Sequence, residues 1–125
     1  MRFFGAIRGT ARFASEDIEY RDVLFQTGTL IMPSMAAANH DPEAFESPGT
    51  FDITRDPPDR PHLTFGSGIH FCLGAALARA ELQEALPILA RRMPDLALAG
   101  DVTWKPVSVG IFGPEHLPVT FTSSD

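Results

Sequence analysis

At 125 residues, 44% of them hydrophobic, the chain has room for one domain with a real core and is not composed like a disordered segment. A net charge of −6 argues against a nucleic-acid surface, and a single cysteine excludes an internal disulfide and fits a reducing compartment, the cytoplasm. No apolar run nears the roughly 18 residues a membrane span needs, and 10 glycines with 11 prolines predict long irregular connections.

Residues 1–14 carry Arg2, Arg8 and Arg12 among Phe3, Phe4, Ile7 and Phe13, with no acid. Organelle transit segments share that composition, and a solvated strand would account for Arg12 equally well. Residues 17–30 read as a hairpin: Ile18 and Tyr20 alternate, Val23, Leu24 and Phe25 follow, and Thr27-Gly28-Thr29 supplies a turn. Leu30, Ile31 and Met32 make a short strand interrupted by Pro33, and residues 35–39 fit one helical turn. Asp41 then reads as a helix N-cap with Pro42 at the first helical position, and His40 as a neighbour of that cap. Pro48, Pro57, Pro58 and Pro61 forbid a long helix or central strand across 45–63. Phe45, Phe51 and Ile53 would anchor that stretch as a packed loop.

The chemistry concentrates in Phe65-Gly66-Ser67-Gly68-Ile69-His70-Phe71-Cys72-Leu73-Gly74. The first turn of a helix leaves N–H groups unpaired at a positive dipole end, so a thiol placed there is favoured as the anion. A thiolate is a soft ligand suited to iron. Gly66 and Gly68 allow positive φ or close approach of a large flat ligand, and Gly74 does the same beyond the sulfur. Without that context a lone cysteine reads as a small buried hydrophobe and His70 as an ordinary half-buried histidine. Zinc fits poorly, because a structural site wants four ligands and His40, His62 and His116 are scattered in unmatched spacing.

Residues 75–92 carry the best helical pattern in the chain, with Leu77, Leu82, Leu86 and Leu89 near one face and Arg79, Glu84 and Arg91 away from it. Pro87 should bend or break this helix, Arg91 and Arg92 suit its C-terminal dipole, and Pro94 ends it. Short strands are expected at 96–98, 102–104 and 119–121, punctuated by Gly110, Gly113, Pro114 and Pro118. Residues 123–125 should fray.

The pattern Phe-x-x-Gly-x-His-x-Cys-x-Gly, on Phe65, Gly68, His70, Cys72 and Gly74, resembles the haem-binding loop of the cytochrome P450 family. The likeness continues into Ala75-Ala76-Leu77-Ala78-Arg79-Ala80-Glu81-Leu82, which is similar to the following helix of soluble bacterial members. Pieces before and after the loop extend it. Arg2, followed by Gly9-Thr10-Ala11-Arg12, keeps the spacing of the family's Glu-x-x-Arg helix and a later arginine, although the glutamate would fall ahead of Met1. Ala38-Asn39-His40-Asp41-Pro42 and Phe51-Asp52-Ile53-Thr54-Arg55 are similar to the family's meander, and Leu117-Pro118-Val119-Thr120-Phe121 to its last strand.

The resemblance implies an α+β chain forming the C-terminal portion of that fold: small β-sheet, meander, cysteine loop, one long helix and short closing strands, with 1–125 an incomplete domain. It implies haem b as cofactor and Cys72 as the axial ligand of iron. Arg12 and His70 would meet the haem propionates, Phe65 would pack beside the sulfur, and Arg55 would join the Glu-x-x-Arg pair. It also implies a monooxygenase acting on a small apolar substrate with a ferredoxin-type electron donor, without nucleic acid or membrane. The family's oxygen-activating helix has no counterpart here, so no catalytic residue is assigned and the chain alone is expected to be inactive. Two readings remain. The first is a haem-thiolate monooxygenase represented by its C-terminal segment, as a truncated product or a piece of a longer chain. The second is a non-catalytic remnant without haem that folds in part, as an interaction module or beside a separately made N-terminal half.

Overall fold

The structure, a computed structural model, describes residues 1–56, 60–106 and 111–122. The chain divides into two compact units, Met1–Thr64 with Ser108–Ile111 and Phe65–Val107 with Phe112–Asp125. The described elements are one long helix, one short helix and antiparallel strand pairs, as the α+β expectation requires.

In the first unit, β1 (Arg12–Phe13) pairs with β4 (Leu30–Ile31), Arg12 opposite Ile31 and Phe13 opposite Leu30. Between them β2 (Ile18–Tyr20) and β3 (Val23–Phe25) form the expected hairpin. Its turn lies at Arg21 and Asp22, not at 27–29. Both residues take positive φ, 49° and 64°, the signature of a two-residue turn whose twist matches the strands. The Thr27-Gly28-Thr29 bend instead returns the chain to β1, with Gly28 N–H donating to the Ala14 carbonyl at 2.8 Å and Ala14 N–H to that of Thr29 at 3.0 Å. Helix α1 (Met35–Ala38) is capped by Ser34, whose hydroxyl accepts the Ala37 N–H at 3.1 Å.

The helix expected to start at Asp41 is a single turn. The Asp41 carboxylate accepts the Glu43 N–H and its carbonyl accepts the Phe45 N–H, so the cap forms without a helix behind it. Phe45 is buried and Phe51, though exposed, sets its ring edge-on to Phe3 at 5.5 Å and beside Phe4 at 6.3 Å. Two of the three expected apolar anchors thus hold the loop; Ile53, 86% exposed, does not. Polar contacts do the rest. Asn39, 1% exposed, accepts the Leu63 N–H at 2.7 Å and donates to the Thr64 hydroxyl at 3.2 Å. A buried amide satisfied in this way costs little, whereas losing it would strand its partners. Pro57 and Pro58 lie outside the described residues.

In the second unit α2 spans Ala75–Arg92 and continues unbroken through Pro87. Proline there removes the bond to the Gln83 carbonyl and its ring crowds that oxygen, yet the helix runs on. The ladder is closed at Met93, whose N–H donates to the Leu89 carbonyl at 2.8 Å. After α2, β5 (Ala97–Leu98) pairs with β8 (Val119–Thr120), and β6 (Thr103–Trp104) pairs with β7 (Pro114–His116) across a register irregularity. The sequence pattern does not announce β7, because its first residue is proline; a proline at the start of a strand donates nothing to the ladder and is tolerated. The expected fraying of 123–125 falls outside the described residues, as does Gly110. Among the described residues no helix is long and apolar enough to cross a membrane.

Two of the strand pairs are closed by the same device. Asp17 accepts both the Thr27 N–H (2.7 Å) and the Thr27 hydroxyl (2.8 Å) at the open end of the β2–β3 hairpin. Asp95 takes the Thr122 N–H (2.8 Å) and hydroxyl (2.7 Å) beside the β5–β8 pair. In each case the backbone N–H bond and then the hydroxyl bond hold the carboxyl below its ordinary range. A lowered folded value means stabilisation present above the unfolded value of roughly 3.9 and lost as pH falls through the folded one. The Thr27 and Thr122 amide resonances should therefore hold their shifts from pH 7 to pH 5 and move only on further acidification. Movement centred above the ordinary carboxylate value would show that the clasps do not form in solution.

Candidate functional site

The loop from Phe65 to Gly74 lies in the second unit and is shaped by its glycines. Gly66 and Gly68 take φ of 73° and 71°, a region costly for any residue with a Cβ. The chain then makes a single tight helical turn over Gly68–His70, closed by the Phe71 N–H on the Gly68 carbonyl at 3.0 Å. Cys72 is held from both sides: its N–H donates to the Phe65 carbonyl at 2.9 Å, and its carbonyl accepts the Ala75 N–H at 3.2 Å. The second bond joins the cysteine to the first turn of α2, whose first residue, Ala75, is buried.

Cys72 is exposed, which removes the reading of a small buried hydrophobe. Ile69, Phe71 and Leu73 are exposed around it, and so is His70. Nothing lies within 4 Å of where a Cβ at Gly68 would stand, and one at Gly74 would sit 3.9 Å from the Cys72 sulfur. The loop thus offers a soft sulfur ligand, open space over Gly68, exposed apolar residues flanking the cysteine and one imidazole that can donate to an anion. That set fits a large apolar macrocycle with a central iron and peripheral carboxylates.

Five of the six residues singled out in sequence, Phe65, Gly68, His70, Cys72 and Gly74, share this loop. Arg12 belongs to the first unit, on β1, exposed, with one guanidinium nitrogen donating to the Thr10 hydroxyl at 2.8 Å and the Ala11 carbonyl at 2.9 Å. Arg2 and Arg55 converge on one bend of the first unit. Arg2 donates to the Asn39 carbonyl and, at 3.2 Å, to that of Pro48, with its guanidinium 4.9 Å from the Phe45 ring centre. Arg55 donates to the Glu46 carbonyl and, at 3.2 Å, to that of Ser47. Burial, and then the positive charge of Arg55, hold Arg2 below its usual value. Two contributors were given no role by sequence reasoning: Asn39, noted only at the end of a helical turn and within the meander likeness, and Arg79, placed away from the apolar face of α2.

The sequence model of the family described as cytochrome P450 matches residues 1–92, which include the whole cysteine loop and α2. The chain belongs to the cytochrome P450 family. It is 46% identical over 122 residues to the biotin biosynthesis cytochrome P450 of Bacillus subtilis, covering 97% of this chain and 30% of that protein. To the 6-deoxyerythronolide B hydroxylase of Saccharopolyspora erythraea it is 42% identical over 122 residues, covering 95% of this chain and 30% of the hydroxylase. Among solved structures, P450BioI in complex with an acyl carrier protein ligated to hexadec-9Z-enoic acid superposes with a TM-score of 0.89 at 45% identity. That match covers 97% of this chain and 31% of the P450BioI chain. The P450 PksS of the Bacillus subtilis bacillaene polyketide synthase gives 0.89 at 39% identity, over 98% and 32% of the two chains. The chain therefore has a cytochrome P450 fold over about 30% of its relatives' length, in a family of haem monooxygenases.

Proposed function

We propose that this chain is the C-terminal, cysteine-bearing part of a haem-thiolate monooxygenase, with 1–125 an incomplete domain of that enzyme. The observation that carries the reading is the exposed Cys72 at the head of α2, on a loop that two positive-φ glycines keep clear of side chains. Cys72 supplies the thiolate ligand. Gly68 and Gly74 leave room for a macrocycle, Phe65 shields the sulfur side from water, and His70 and Arg12 donate to the propionates. The Cys72 N–H, committed to the Phe65 carbonyl, fixes the cysteine backbone before any ligand arrives. When bound, haem b supplies oxygen activation at an iron whose thiolate ligand favours O–O cleavage. The substrate would be a small apolar molecule and the electron donor ferredoxin-like, in the reducing cytoplasm. The turning of Arg2 and Arg55 onto one bend supports Arg55 as the arginine that joins the Glu-x-x-Arg pair.

The assignment of His70 and Arg12 is tested by hemin titration and by haem transfer to an acceptor protein. A hydrogen bond to a charged group is worth about 1.5–3 kcal/mol, so His70→Ala and Arg12→Ala should each weaken haem retention roughly ten- to hundredfold. The thiolate spectrum should survive both. Unchanged retention in both variants would remove these residues from the site. Exposed leucines along α2 favour a second reading, an interaction module without haem. A hemin titration with no saturable, Cys72-dependent component would select it.

A further inference from the structure

The geometry points to Arg79 as a positioning residue for Cys72, acting through a guanidinium–ring clamp on Phe65. The inference rests on Cys72 being the haem ligand. Phe65 opens the loop and Cys72 nearly closes it, and one described backbone bond, Cys72 N–H to the Phe65 carbonyl, ties the two together. That bond places the cysteine only as firmly as Phe65 itself is placed. The Arg79 guanidinium carbon stands 4.9 Å from the Phe65 ring centre, and the same ring meets Phe71 edge-on at 6.4 Å and 64°. Arg79 lies one turn past Ala75, so the helix that receives the Cys72 carbonyl also grips the far end of the loop. No carboxylate partners Arg79 among the described residues, which leaves its charge to the ring face. A planar guanidinium stacks on such a face, whereas a lysine ammonium acts as a hydrated point charge.

The test follows hydrogen–deuterium exchange in the 125-residue chain for the wild type, Arg79→Gln, Arg79→Lys and Phe65→Leu. Loss of an exposed cation–ring contact should speed exchange across 66–74 about 2- to 5-fold in Arg79→Gln and Phe65→Leu. Arg79→Lys should recover part of the protection, and exchange across 80–90 should stay as in the wild type. Equal exchange in all four proteins, an equal rise in loop and helix, or a wild-type loop without protection would each overturn the clamp. A second arm adds hemin and carbon monoxide under reduction and reads the fraction of thiolate-type Soret band, expected to fall in Arg79→Gln and partly recover in Arg79→Lys. If no protein shows that band, wild type included, yet loop protection still depends on Arg79, haem ligation fails and the clamp stands. If the band is present and neither it nor the exchange responds to Arg79, the clamp fails and ligation stands.

Discussion

Cys72→Ser is expected to abolish the red-shifted Soret band of the reduced, CO-bound haem protein completely. The expectation is all-or-none because Cys72 is the only cysteine in the chain, so no second thiolate can take its place. A serine hydroxyl occupies nearly the same space but is a hard, weakly acidic oxygen and a poor ligand for this iron. The substitution should leave the loop intact, since the bonds that hold residue 72 come from its backbone: N–H to the Phe65 carbonyl and carbonyl to the Ala75 N–H. Loss of the band with unchanged helical circular dichroism would therefore report ligation and not unfolding. Survival of the band would end the assignment of Cys72.

The second large effect concerns the 125 residues taken alone. They should show no substrate-dependent oxygenation, bind a hydrophobic dye strongly and associate as concentration rises. Leu77, Leu82, Leu86 and Leu89, the stripe that should face a core, are all exposed, Leu77 at 64% and Leu86 at 58%. Fully burying a leucine is worth about 1.5–3 kcal/mol, and these four together leave about two leucines' worth of surface uncovered. Roughly 3–6 kcal/mol is therefore withheld, a large share of the roughly 5–15 kcal/mol net stability of a domain. The buried apolar residues among those described are Ala14, Phe45 and Ala75. Monooxygenation also needs a site from which water is excluded, and Cys72 with its neighbours is open. The check is product formation from small apolar substrates after adding hemin and a ferredoxin-type donor. Coupled hydroxylation that Cys72→Ser removes would show this segment to be self-sufficient.

The exposed stripe explains one failure of sequence reading. Periodicity correctly placed a helix over 75–92, because spacing along one strand of chain reports which side chains share a face. It says nothing about whether anything covers that face. The loop was legible for a related reason: glycine at 66 and 68 is a statement about φ, and φ is a property of single residues. The hairpin was half legible. Alternation found its strands, but glycine at 28 drew the turn away from Arg21 and Asp22, two residues that accept positive φ only because pairing of Ile18 with Phe25 and Tyr20 with Val23 leaves them no alternative.

What the sequence by itself determined is therefore local: the cysteine loop and its glycines, the helix after it, and the family these belong to. Tertiary structure alone decided which distant residues meet. It set β1 against β4, closed two strand pairs with Asp17–Thr27 and Asp95–Thr122, buried Asn39 against Leu63 and Thr64, and laid Arg79 on Phe65. These partners stand 10 to 27 residues apart. Local φ and periodicity reach only a few residues along the chain, whereas such pairs form only after backbone entropy has been spent on bringing the segments together, and many sequences of similar pattern could spend it differently.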